Sequence, residues 1–225
     1  MSTHQITQQK DSHLTLNHWL FISCCFSLLL VCARVAATGY FTYLFLVWNL
    51  FLAFIPYAIS EWLFQRIPVI ENRWKRLIVL GSWLVFIPNS FYIVTDLFHL
   101  EQFDSAPKWF DLLLLFSFAW NGLLFGILSV RRIETVITAI YGERYSILFL
   151  LVVMWLNAFG IYIGRYLRYN SWDVIGRPFS LLGEMLEVIF HPIRNSMEWG
   201  MITLWAAFMA LFYITIKVMS RQIKH

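Results

Sequence analysis

Charge is what this sequence has least of. Asp, Glu, Lys and Arg make up 13% of its 225 residues, about half the roughly 25% usual in soluble domains. A chain so poor in charge cannot cover a water-facing surface, which excludes an ordinary soluble globule. Cysteine is scarce too, and Cys24, Cys25 and Cys32 all fall in one apolar stretch. With no second group to complete a set, they exclude a disulfide framework and a cysteine metal centre and read as small packing residues. No low-complexity tract interrupts the chain, and no established nucleophile, metal-ligand or phosphate-loop motif stands in it. No cofactor is implied.

What the sequence does have is hydrophobic length: 60% of its residues are hydrophobic and 19% aromatic. Six apolar stretches lie at 16–33, 40–60, 77–95, 112–130, 146–164 and 199–216. A bilayer core of about 30 Å takes roughly 20 residues of helix. Lipid offers no partner to a bare backbone, and these runs are too uniformly apolar for barrel strands, so they read as helices. The predicted fold is all-α: a polytopic membrane helical bundle, one domain over 1–225, with six transmembrane helices and one interfacial amphipathic helix. Trp19, Tyr40, Trp62, Trp74, Trp109, Trp172 and Trp199 sit where spans meet water, the depth amphipathic rings prefer. Residues 19–33 followed by Val35-Ala36-Ala37 also resemble a signal peptide, but the preceding tail is polar with a single Lys10. Retention as a span is the better reading.

Basic residues set the orientation. The N-terminal tail, the 61–76 and 131–145 connections and the C-terminal tail together hold eleven of the 17 Lys and Arg residues. Both termini are therefore expected in the cytoplasm of a bacterial inner (plasma) membrane. Anionic membrane lipid is partner enough for this face, and nucleic acid is not invoked. The 131–145 stretch reads as a helical extension lying in the interface. Residues 178–191, PFSLLGEMLEVIFH, read as an amphipathic helix on the outer face, opened by Pro178 and stopped near Pro192.

Four stretches carry unusual polarity for a membrane interior: WNLFLAFIPYAISEW (48–62), WLVFIPNSFYIVTDLFHL (83–100), WFDLLLLFSFAWNGLLFGILS (109–129) and FGIYIGRYLRYNSWD (159–173). In these the chain resembles, over roughly 40–220, a bacterial multi-pass membrane family catalogued as domain of unknown function 1361. The resemblance implies a bacterial inner-membrane protein and brings no assigned activity or catalytic residue. One departure is Ser90-Phe91 after Pro88-Asn89, where the family pattern has a small residue and a second proline.

The residues themselves suggest a site. Pro88 cannot donate to the Leu84 carbonyl, so the third span should bend. Asn89, Tyr92, Asp96 and His99 follow at spacings of three, four and three, on one helical face. Such a stripe should face the bundle interior or a water-filled cavity. Asp104, Asp111, Arg165, Arg168, Asn170 and Asp173 fall at the same outer end. Asp96 and His99 are candidates for a base or a weak metal pair, against the plainer reading of a hydrogen-bonded structural pair. Arg165 and Arg168 suit a phosphate or lipid headgroup, against an Arg–Asp network tying the fifth span to the third–fourth connection. Asn49, Asn121 and Asn157 read as interhelical hydrogen-bonding groups. The Gly122/Gly126 and Gly160/Gly164 pairs are expected to pack the fourth and fifth spans together. Pro56, with Ser60 and Glu61, reads as a tolerated kink rather than a hinge.

Three function classes stay open. A small carrier would need a polar path inward through Asn89, Asn121 and Asn157. A membrane enzyme acting on a lipid-linked phosphate would need Asp96 or His99 beside the phosphate held by Arg165 and Arg168. A structural or assembly subunit would need every charge satisfied and no cavity. The sequence leans away from an enzyme and toward an outward-facing polar site for an anionic small molecule or lipid headgroup. It specifies neither the substrate nor the oligomeric state.

Overall fold

Helices and turns account for all the secondary structure of residues 15–66, 73–102, 105–169 and 173–222, the residues that the computed structural model describes. The long helices are α1 (Leu16–Thr38), α2 (Phe45–Arg66), α3 (Arg73–Tyr92), α4 (Lys108–Tyr141), α5 (Glu143–Arg165) and α8 (Ser196–Gln222). Helix α3 runs on as a 3-10 helix, Ile93–His99, and two short helices, α6 (Asp173–Gly176) and α7 (Pro178–Phe190), lie between α5 and α8. Six helical segments have the length and composition to cross a membrane: Leu16–Thr38, Phe45–Arg66, Leu77–His99, Lys108–Tyr141, Glu143–Arg165 and Ser196–Ser220. The make-up is that of a multi-pass membrane protein.

The ends of the helices have local causes. Gly39, at φ 73°, closes α1 with its N–H on the Val35 carbonyl at 2.8 Å. Gly142, at φ 92°, ends α4 and caps α5 in one residue. Pro178 opens α7 at its first turn. Two boundaries differ from the sequence reading. Residues 40–44 precede α2 rather than belonging to its span. The 131–145 stretch does not lie as a surface extension: α4 is one helix of 34 residues, and Ile133, Glu134 and Val136 are buried in the bundle. At 1.5 Å per residue that helix is about 51 Å long, well beyond a 30 Å hydrocarbon core.

Helix α3 sits between α4 and α5, and glycines let both approach. A Cβ at Gly122 would run into the Ile93 side chain and lie 2.9 Å from the Ser90 carbonyl; one at Gly126 would lie 3.0 Å from the Phe91 ring. From the other side, a Cβ at Gly160 would lie 2.6 Å from Pro88, and one at Gly164 would lie 3.1 Å from the Tyr92 ring. The two glycine faces therefore do not meet each other, as the small-x-x-x-small spacing alone suggested. Both close on α3, because glycine leaves no Cβ between α3 and the backbone of either neighbour.

Hydrogen bonds cross the same layer. Ser90 Oγ donates to the Ala53 carbonyl at 2.8 Å, Ser129 Oγ to the Pro56 carbonyl at 2.9 Å, and Trp83 Nε1 to Ser129 Oγ at 2.7 Å. These tie α2, at Ala53 and Pro56, to α3 and α4. Asn121 Nδ2 reaches Ser27 Oγ at 2.9 Å and the Ser23 carbonyl at 3.2 Å, joining α4 to α1. Asn157 departs from its expected role. It is fully buried in α5, and among the described residues neither atom of its amide has a hydrogen-bond partner.

The bundle has two polar poles. At the lower one, Glu134 of α4 accepts from Ser146 at 3.0 Å, Tyr213 at 2.5 Å and Lys217 at 2.6 Å, drawing α5 and α8 together. Arg132 pairs there with Glu61. The upper pole holds the end of α1, the 3-10 helix, the start of α4 and the end of α5.

If the α3 wedge governs packing, Gly122→Ala should lower the thermal midpoint of the purified protein by the equivalent of about 1–3 kcal/mol, the usual cost of overpacking. Gly81→Ala, on the same α3 but with nothing within 4 Å of its would-be Cβ, should hold or raise it. Thermal unfolding in detergent followed by circular dichroism compares the two.

Candidate functional site at the upper pole

The predicted polar stripe begins on α3 and then divides. Asn89 and Tyr92, on regular α-helix, line a cavity of about 290 Å³ between α2, α3, α5 and α7. From Ile93 onward the chain winds as a 3-10 helix. Three residues per turn replace 3.6, so positions three apart stack and the stripe rotates away from its earlier face. Asp96 and His99 thus stay one above the other, with His99 Nδ1 3.1 Å from the Asp96 carbonyl, but they turn toward α2. Asp96 is 2% exposed, and its carboxylate accepts from Asn49 Nδ2 at 2.8 Å. Asn49 itself lines the cavity, so the acid lies behind the wall. The ring of His99 packs against Phe45 at 5.1 Å.

Asp111 has a different partner from the one expected. Its carboxylate takes a two-pronged bond from Arg34, Nε to Oδ1 at 2.7 Å and Nη2 to Oδ2 at 3.0 Å. The same guanidinium donates to Thr42 Oγ1 at 2.5 Å and Ser105 Oγ at 3.1 Å and lies 4.4 Å over the Tyr43 ring. Each of its three nitrogens has a partner, as a buried arginine requires. Tyr43 donates to the His99 carbonyl at 3.3 Å. Burial first, then the nearby Asp111 carboxylate, push its phenol up to about 12, so it remains a proton donor at neutral pH. Asp173 is likewise engaged: it is buried and accepts from Nε and Nη2 of Arg177, both at 3.1 Å. Asp104 and Asn170 lie outside the described residues.

The two arginines at the end of α5 contrast with these. Among the described residues, Arg165 and Arg168 make neither a hydrogen bond nor an ion pair. Arg165 lies 5.3 Å over the Phe98 ring, and its charge bears on Asp96 and His99. Arg168 is exposed and holds φ at +58°, a left-handed conformation where glycine is usual, as the Tyr169 N–H folds back to the Ile163 carbonyl at 3.2 Å. Asp96 and His99 have no third His, Cys, Asp or Glu grouped with them among the described residues. Sequence reading placed Arg34 and Tyr169 at the outer end but left both, and Asn49, out of the candidate site. Tyr169 lines the cavity and fastens α7 below it, its hydroxyl 2.6 Å from Ser180 Oγ and 3.0 Å from Glu184 Oε1. The signal for Arg34 was present, since a lone cation in an apolar run must find an acid.

Residues 48–214 match the model of the family described as "Protein of unknown function (DUF1361)". The chain belongs to the DUF1361 family. Every residue lining the cavity falls inside the part matched to DUF1361, and so do Asp96, Asp111 and Arg165, whereas Arg34 on α1 lies outside it. No curated protein and no solved structure matches the chain.

The Arg34–Asp111 pair generates a prediction. Asp111→Asn or Arg34→Met alone leaves a buried charge unpaired and should cost about 3–5 kcal/mol, while Arg34→Met with Asp111→Leu should recover most of it. A double-mutant cycle on thermal unfolding would read this as strong coupling, and additive losses would contradict it. By contrast, Arg168→Gly should gain stability, since it relieves the left-handed backbone.

Proposed function

We propose that this chain is an integral protein of a bacterial inner membrane, with both termini in the cytoplasm and the upper pole facing outward, and that the upper pole binds an anionic small molecule or lipid headgroup. The observation that carries the reading is the pair of arginines, Arg165 and Arg168, that have no carboxylate partner among the described residues and that stand next in sequence to Gly164 and Tyr169 of the cavity wall. Neighbouring cations at this pole, Arg34 and Arg177, are spent on Asp111 and Asp173. Cations left without carboxylates, on the side that the distribution of basic residues disfavours, suit an incoming anion.

The rival readings fit less well. A purely structural network calls for satisfied charges and no cavity. A carrier needs a polar path inward, and Asn121 turns instead to Ser23 and Ser27 of α1. An enzyme needs a base at the ligand, and Asp96 is held by Asn49 behind the cavity wall. Binding is the activity that requires least beyond the geometry.

Orientation and binding are tested separately. With Cys24, Cys25 and Cys32 replaced by serine, an impermeant maleimide applied to intact cells should label Arg168→Cys and spare Gln222→Cys; the opposite pattern overturns the orientation. For binding, glycerol phosphate titrated onto purified protein should lose about tenfold or more in affinity in the Arg165→Gln, Arg168→Gly double variant. That loss matches one charge-assisted hydrogen bond. Unchanged affinity would refute the anion site.

A further inference from the structure

The cavity is graded along the membrane normal. Tyr92 and Tyr169 stand at its upper rim, with Asn49 of α2 close below, while Leu84, Val85 and Leu156 line its lower end. From Tyr92 to Leu84 is eight residues, or about 12 Å of helix, close to the depth of one leaflet of a 30 Å core. The lower end opens on the side of a candidate membrane span: Leu84 and Val85, within Leu77–His99, remain 37% and 39% exposed on the bundle surface. Its roof is α7, which sends Leu181 into the cavity and presents Phe179 and Phe190 outward, 88% and 72% exposed. A roof with apolar side chains toward the cavity and at both outer ends, and Glu184 and Glu187 between them, suits a membrane interface.

We propose that the ligand is an anionic amphiphile of the phospholipid kind, seated upright, with one acyl chain in the cavity down to Leu84, Val85 and Leu156 and its phosphate at Arg165 and Arg168. This rests on the anion-binding reading above and adds the apolar half of the ligand. Arg165 closes α5 one residue beyond Gly164 of the cavity wall, so the headgroup would sit at the upper end of the slot that holds the chain. A water-soluble anion would meet the arginines and leave the apolar slot unused.

The test uses the full chain in nanodiscs of phosphatidylglycerol and phosphatidylcholine, either lipid carrying a photoreactive diazirine at its acyl end. Labelling by phosphatidylglycerol should concentrate at Leu84, Val85 and Leu156, at least fivefold above exposed α8 positions such as Leu204 and Leu211. Even labelling along α8, or equal labelling by the phosphatidylcholine probe, overturns the proposal. A second arm compares Val85→Trp, which fills the lower slot, with Arg165→Gln. Val85→Trp should weaken retention of phosphatidylglycerol in native mass spectrometry about tenfold and leave glycerol phosphate binding intact, while Arg165→Gln should weaken both. If Val85→Trp changes neither, the chain slot is refuted and the anion site survives. If Arg165→Gln with Arg168→Gly changes neither, both readings fall together.

Discussion

Close backbone contact around α3 is the constraint on which the remaining architecture rests. Lipid tails are as apolar as leucine, so helices in a bilayer gain little from hiding greasy surface from each other, and contact must come from shape. Four glycines supply it, two from α4 and two from α5. With α3 fixed between them, its Pro88 packs on Gly160 of α5, the Ser90 hydroxyl and carbonyl meet Ala53 and Gly122, and the 3-10 helix above is delivered to the upper pole. The cavity lies alongside these contacts, with Pro88, Tyr92, Gly160 and Gly164 in its wall.

Electrostatics at the two poles follows one rule with one exception. Each buried acid, Asp96, Asp111, Glu134 and Asp173, has a named donor. Burying charge is tolerable only on those terms. The exception is a surplus of cation at the end of α5, where helix α5 also takes its strained left-handed exit through Arg168. Strain and unspent charge in the same few residues set that corner apart from the rest of the molecule.

Much of the fold was legible because a bilayer imposes it. Span length, the glycine and proline that end helices, and the amphipathic run opened by Pro178 are local signals, and α7 occupies Pro178–Phe190 much as its sequence reads. Pairing was not legible, because Arg34 and Asp111 are 77 residues apart and nothing local says which acid a cation will meet. The division of the polar stripe did leave a trace. Ile93, Val94 and Thr95 are three β-branched residues in a row, crowded in an α-helix, and Thr95 Oγ1 bonds the Tyr92 carbonyl at 2.7 Å. The sequence reading assumed a 3.6-residue period through this point, and so it placed Asp96 and His99 on the cavity side.

Glu134 has a consequence for biogenesis. Of its partners, Ser146 is made soon afterwards, but Tyr213 and Lys217 belong to α8, 79 and 83 residues further along the chain. Until that segment docks, the carboxylate has a single hydroxyl for company in a site that excludes water. Maturation of the bundle is thereby tied to the docking of α8: a product truncated before Tyr213 would carry an uncompensated anion at its lower pole, a clear mark for membrane quality control.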